Sequence, residues 1–201
     1  SSDPARRSPF HFARTRLAPD DRPDVQFHFV PAMLDDHGRN RLPGDGYTLH
    51  ACALRPLSRG HLELASADPA QPVRIHANYL GDPEGRDLQT LLEAVRLARR
   101  ILGTAAFAPY RGSELYPGAT VQDDAALAEF VRRKAETIYH PVGTCRMGND
   151  AQAVVDTQLR VHGIGALRVV DASVMPRLVG GNTNAPVVMI AEKASDLILA
   201  A

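Results

Sequence analysis

Tyr139-His-Pro-Val-Gly-Thr-Cys-Arg-Met-Gly148 decides the reading of this 201-residue chain, together with Asp171-Ala-Ser173 and Gly180-Gly-Asn-Thr-Asn-Ala-Pro186 downstream. His140 precedes Pro141, which fixes φ, and Gly143, which permits a tight backbone, so the Gly-Thr-Cys segment can bend close to a bound group. An imidazole, with an ordinary pKa of about 6.5, suits the exchange of a proton near neutral pH. On spacing alone, the favoured reading of His140 is a helix-end histidine before a turn. Asn182 follows 42 residues later (182 − 140). Its amide offers donor and acceptor without charge, which suits an oxygen gaining negative charge, and it reads also as a turn residue after Gly-Gly.

The neighbouring elements follow from periodicity. Ala185 or Pro186 is expected to open a helix with Thr183 or Asn184 as N-cap, and with Val187, Ile190, Ala191, Ala194, Leu197 and Ile198 on its apolar face. Its first amides and partial positive charge favour a nearby anion. Leu167-Arg-Val-Val-Asp171 reads as a buried strand ending at an acid, and the small residues Ala172 and Ser173 permit close backbone approach.

The runs HPVGTCRMG, LRVVDASVMP and GGNTNAPVVMIAEKASDLI resemble the C-terminal signature of the glucose-methanol-choline (GMC) family of FAD-dependent alcohol oxidoreductases, with choline dehydrogenase-type members most similar. The close resemblance covers residues 139–199, and a looser one through RPLSRGHLELASADP reaches back to about Val25. It implies oxidation of a CH–OH group with hydride transfer to FAD, His140 as acid/base and Asn182 on the substrate oxygen. It implies flavin contacts from Asp171, Ala172, Thr183 and Asn184. The family carries an N-terminal glycine motif for FAD, and no GxGxxG occurs in these 201 residues. The chain is thus expected to be the C-terminal part of such an enzyme, as a fragment, a cleaved chain or a split subunit. It is expected to need an FAD-binding domain or subunit from outside it and to be inactive alone.

Upstream, Val25, Phe27 and Phe29 alternate with Gln26 and His28, predicting a half-buried strand over 25–31 with His28 facing away from the core. Residues 35–46 read as a surface loop or flap. Strands are predicted over 47–54 and 61–64, joined by the turn Arg55-Pro-Leu-Ser-Arg-Gly60, and over 73–77; three or four such strands form one antiparallel sheet. The spacing of Leu88, Leu91, Leu92, Val95, Leu97, Ala98 and Ile101 predicts a helix over 87–102 covering one sheet face, and a second helix is predicted over 123–137. The fold class is α+β, with helices on one face of an antiparallel sheet and a C-terminal strand-plus-helix segment. The expected domains are an irregular lead-in (1–24), a substrate-binding sheet and helices (25–138), and the segment bearing His140 and Asn182 (139–201).

Composition narrows the classes. With 44% hydrophobic residues the chain can bury a core, and 23 basic against 23 acidic residues leave no net field for nucleic acid. Arg6, Arg7, Arg14 and Arg16 read as a solvated basic segment. No apolar run reaches the ~20 residues of a transmembrane helix, so the expected location is cytoplasmic or membrane-peripheral, in a bacterium. Cys52 and Cys145 form no CxxC, and His50, His61 and His76 fall at no metal-ligand spacing, so no metal site is expected. Apolar residues shaped for a neighbour imply self-association or docking to another chain. Two rivals stand beside the oxidoreductase reading: a non-catalytic binding module of the same fold, and a hydrolase using Ser173 with His140, which lacks a G-x-S-x-G elbow.

Overall fold

The computed structural model describes residues 10–200, so Arg6 and Arg7 lie outside the described residues. In chain order the elements are β1 (Phe10–Ala13), β2 (Val25–Val30), β3 (Leu34–Asp35), β4 (Asn40–Arg41), β5 (Thr48–Ala53), β6 (His61–Glu63), β7 (Arg74–His76), α1 (Arg86–Leu102), α2 (Asp124–Lys134) and α3 (Asn184–Leu199). The architecture is α+β. The chain divides into two compact units, Ser1–Ser58 with Tyr79–Glu136, and Arg59–Asn78 with Thr137–Ala201.

The first unit is a sheet with a helix laid on it. The sheet is antiparallel in the order β1-β2-β5, and its central strand pairs Phe27 with Ala51 on one side and with His11 on the other. Alternation along β2 sends Val25 and Phe27 to the face covered by Ala94, Leu97, Ala98 and Ile101 of α1. Both side chains are fully buried, a burial that stabilises by about 1.5–3 kcal/mol each. Leu88 and Leu92 of α1 pack in turn on Leu127 and Val131 of α2. Asp123 caps α2 by accepting a hydrogen bond from the Ala126 amide at 2.9 Å.

Several expectations are corrected here. β1 lies inside the stretch read as irregular lead-in, because its edge pairing with β2 is non-local. His28 alternates away from Val25 and Phe27 as expected and is half-buried, with Cys52 Sγ 4.0 Å from its Nε2, while Gln26 on the same side is buried. Residues 61–64 do not return as a hairpin on β5. The Leu57 and Ser58 amides instead donate to the buried Asp87 carboxylate, each at 2.8 Å, where the expected turn would run. β6 and β7 pair only with each other. The stretch over 35–46 is not all loop, for it holds the end of β3 and all of β4, which pair Leu34 with Arg41 and Asp35 with Asn40, and Lys134 at the end of α2 pairs with Asp35 at 2.6 Å.

In the second unit, α3 lies on a core of loops. Ile190 and Ala194 pack with Val155, Leu159, Val174 and Met175, and Val142, Val179 and Val187 close around them. Leu167–Asp171 is not the buried strand expected from its apolar run. Its backbone is tied by an isolated Arg160–Arg168 bridge and by Val169 N–H donating to Leu159 O, while Leu167 and Val170 are exposed. Nor is the predicted face of α3 uniformly covered, for Ala191 and Ile198 are exposed. Among the described residues no helix is long and apolar enough to cross a membrane.

Candidate active site

Three loops meet beneath the N-terminus of α3. The Cys145 amide donates to Ser173 O at 3.0 Å and the Met147 amide to Val174 O at 2.9 Å, so the 140–148 loop runs against the 171–175 segment. Gly143 makes this approach possible. Its φ is +90°, and a Cβ there would meet Met175 O at 3.3 Å. Tyr139 also has positive φ, +65°, so a backbone conformation disfavoured for a bulky residue immediately precedes His140. Such strain costs about 1–3 kcal/mol and gathers where geometry is over-determined.

His140 is half-buried and engaged on both ring nitrogens. Nδ1 lies 2.7 Å from Thr183 Oγ1, and Nε2 lies 3.0 Å from Asn182 Nδ2. The amide nitrogen of Asn182 can only donate, so Nε2 accepts and is unprotonated. The ring proton then sits on Nδ1 and is donated to Thr183. Asn182 and Thr183 thus hold the ring from its two opposite nitrogens, with Nε2 facing the carboxamide. Thr183 is buried and stands at the N-cap of α3, yet its side chain caps none of the helix amides, because the hydroxyl is turned to the histidine.

The residues singled out in the sequence fall into two groups. His140, Asn182 and Thr183 touch directly, across 43 residues of chain. Asp171 and Ala172 precede the segment that the 140–148 loop hydrogen-bonds, and Asn184 follows Thr183 as the first residue of α3. Asp171 is exposed and accepts from Ser173 N at 2.7 Å and from Ser173 Oγ, closing a short 3₁₀ turn over Ala172–Val174. Ser173 thus serves Asp171 and not His140, which removes the observation a Ser–His hydrolase would need. Asn184 and Ala185 are exposed in the first turn of α3. Reading the sequence missed two features: the Thr183–His140 bond, which an N-cap threonine disguises, and Arg168, whose buried Nε has no hydrogen-bond partner among the described residues.

An open recess of about 570 Å³ along the loop 156–168 contains neither His140 nor Asn182 and is lined by the Asp156–Arg160 ion pair. It offers no acid–base pair comparable to His140 with Asn182.

Comparison with known proteins matches residues 56–191 to the family described as GMC oxidoreductase. The chain belongs to the GMC oxidoreductase family. Among curated GMC relatives it is similar to alcohol dehydrogenase [acceptor] of Pseudomonas putida, 50% identical over 179 residues that make up 89% of this chain and 32% of that protein. It is 49% identical over 178 residues to mitochondrial choline dehydrogenase of Mus musculus, covering 88% of this chain and 30% of the relative. The chain thus spans about a third of the length of these GMC relatives. Among solved structures it superposes on pyridoxine 4-oxidase from Mesorbium loti with a TM-score of 0.83 at 30% identity, covering 93% of this chain and 36% of the other. Formate oxidase of Aspergillus oryzae RIB40, a protein whose FAD is modified, gives a TM-score of 0.83 at 30% identity, with 92% of this chain and 33% of that chain covered.

Within this GMC segment, the donors fit a group rich in phosphate and carbonyl oxygens. The first amides of α3 carry no side-chain cap, the half-buried small residues Ala172 and Ser173 follow the exposed Asp171, and Arg168 Nε lacks an acceptor.

Proposed function

We propose that this chain is the substrate-binding and catalytic portion of a flavin-dependent alcohol oxidoreductase that oxidises a CH–OH group of a small molecule. The observation that carries the reading is the convergence of His140 Nε2 and Asn182 Nδ2 at 3.0 Å. A basic lone pair and an amide donor held that close can be satisfied together by one hydroxyl, which donates to Nε2 and accepts from Nδ2.

His140 takes the hydroxyl proton on Nε2 and becomes an imidazolium with both ring nitrogens donating. Thr183 Oγ1 continues to accept from Nδ1, so the ring is not required to turn as it charges. Asn182 donates to the oxygen as negative charge grows there, a type of stabilisation that acts most strongly in the transition state. FAD, when bound, supplies the two-electron acceptor for the hydrogen leaving the alcohol carbon. Asp171, Ala172, Asn184 and the first amides of α3 are the groups of this chain that would hold it, with the positive end of the helix favouring an anionic cofactor.

The remainder of the cofactor site belongs to an FAD-binding part outside this chain. Exposed Leu167, Val170, Val188, Met189, Ile198 and Leu199, together with the unpartnered Arg168 Nε, support such a neighbour. The reading is tested by joining the chain to an FAD-binding part and adding primary alcohols anaerobically. The expected result is a yellow complex whose flavin absorbance is bleached by at least one alcohol. A colourless complex, or one that no alcohol bleaches, contradicts it.

A further inference from the structure

The β6–β7 hairpin carries a side-chain cluster that the proposed oxidation does not use. Its register pairs His61 with His76, Leu62 with Ile75 and Glu63 with Arg74. Alternation then sets His61, Glu63, His76 and Arg74 on one face and Leu62 and Ile75 on the other. The two imidazoles stack with centroids 4.4 Å apart and planes 11° from parallel, and His76 Nε2 lies 3.1 Å from Glu63 Oε2. One ligand atom from each of His61, Glu63 and His76 lies within 4.8 Å of the others. The histidines are 15 residues apart in sequence, which is why no metal-ligand spacing shows there.

The base of the hairpin fixes this register. A Cβ at Gly60 would stand 2.1 Å from His76 O, so glycine alone lets the strand pass that carbonyl. Asn78 Nδ2 donates to Arg59 O at 2.9 Å and closes the same end. Both contacts hold His61 opposite His76.

We propose that His61, Glu63 and His76 form a binding site for a divalent transition-metal ion of the zinc and nickel class. Two imidazoles and one carboxylate suit these borderline cations, whereas magnesium and calcium prefer all-oxygen shells. Zinc bonds to histidine nitrogen and carboxylate oxygen measure about 2.0–2.2 Å, so the ligand atoms must close from their present separation by side-chain rotation, which exposed strand residues can make. Three protein ligands leave a fourth position for water. Arg74 shares the face and its charge opposes that of the ion, which moderates the affinity. The cluster Asp36, His37 and Glu136 offers one imidazole in place of two, with His37 already paired to Glu136 at 2.9 Å, and is the weaker competitor. The bound ion clips β6 to β7 and, because its ligands bind deprotonated, is released in acid.

Titration of the 201-residue chain with ZnCl2 near neutral pH, followed by calorimetry and by imidazole ¹⁵N NMR, tests this. The expected result is one dominant ion per chain, with His61 and His76 shifting together and MgCl2 producing no shift. His76→Ala should weaken binding by more than about tenfold, since even outer-shell changes at metal sites cost 10–100-fold. Glu63→Gln, which leaves both rings in place, should also weaken it, and this keeps the test decisive if His76→Ala alters the hairpin. Absence of zinc binding overturns the site. So does zinc binding at undiminished affinity in both variants, or binding abolished by His37→Ala and untouched by Glu63→Gln.

Discussion

Thr183 Oγ1 stands 2.7 Å from His140 Nδ1, and the same threonine occupies the N-cap of α3 without capping any of its amides. One hydroxyl thereby exchanges a helix-capping role for control of a ring proton. The geometry couples the start of α3, where a bound anion is favoured, to the histidine proposed to act as base.

Removing that hydroxyl is expected to mix the imidazole tautomers. Thr183→Val leaves the Nδ1 proton without its acceptor at a buried position, a loss of about 1–3 kcal/mol in unfolding free energy. Two-bond ¹H–¹⁵N spectra of His140 should show Nδ1 protonated in the parent chain and a mixed population in Thr183→Val, with Thr183→Ser restoring the parent pattern. An unchanged spectrum in Thr183→Val would show that the hydroxyl does not set the tautomer.

Asn182→Ala, in an enzyme completed by its FAD-binding part, should lower kcat by about 10²–10³, the usual effect of removing one donor to a developing oxyanion. KM should change little, because the donor acts mainly in the transition state. A large rise in KM with kcat intact would make Asn182 a ground-state binding residue instead.

Elements built from local pattern were legible in the sequence. Val25 and Phe27 announced β2 by alternation, and Leu88, Leu92 and Ile101 announced α1 by their three-and-four spacing, since each periodicity repeats what the core requires of that element alone. Features that depend on distant partners were not legible. Phe10–Ala13 pairs with β2 across a proline-rich stretch, and Asp87 accepts from the Leu57 and Ser58 amides from 29 or 30 residues away. The run Leu167–Asp171 has the composition of a buried strand, yet Leu167 and Val170 lie uncovered on this chain. The nearness of His140 and Asn182 was anticipated only through family resemblance. The role of Thr183 was hidden because a threonine before a helix ordinarily signals a cap.

Gly143→Ala should destabilise the second unit and disturb the His140 loop. A Cβ at φ +90° is strained by about 1–2 kcal/mol, and it would also press on Met175 O at 3.3 Å. Chemical denaturation should show a lower midpoint with an unchanged slope. Equal stability would mean that the loop relaxes without loss.

Arg146, in the same loop, hydrogen-bonds Asp150 and, with the Gln152 amide, holds its carboxyl down to about 2. The unfolded carboxyl titrates near ~3.9, so between these values the unfolded chain binds more protons than the folded one. The contribution of the pair is complete above ~4 and is lost as pH falls through about 2. Carboxyl NMR titration should find Asp150 near the lower value, and Arg146→Gln should move it toward the ordinary range. An unmoved titration would show that Arg146 is not the cause.

The proposed base is tested most directly by the rate of anaerobic flavin reduction by alcohol in the completed enzyme, comparing His140 with His140→Ala. The expected outcome is a fall of about 10²–10⁴ with flavin content unchanged. Reduction at the parent rate in His140→Ala would contradict the assignment of His140 as the residue that takes the hydroxyl proton.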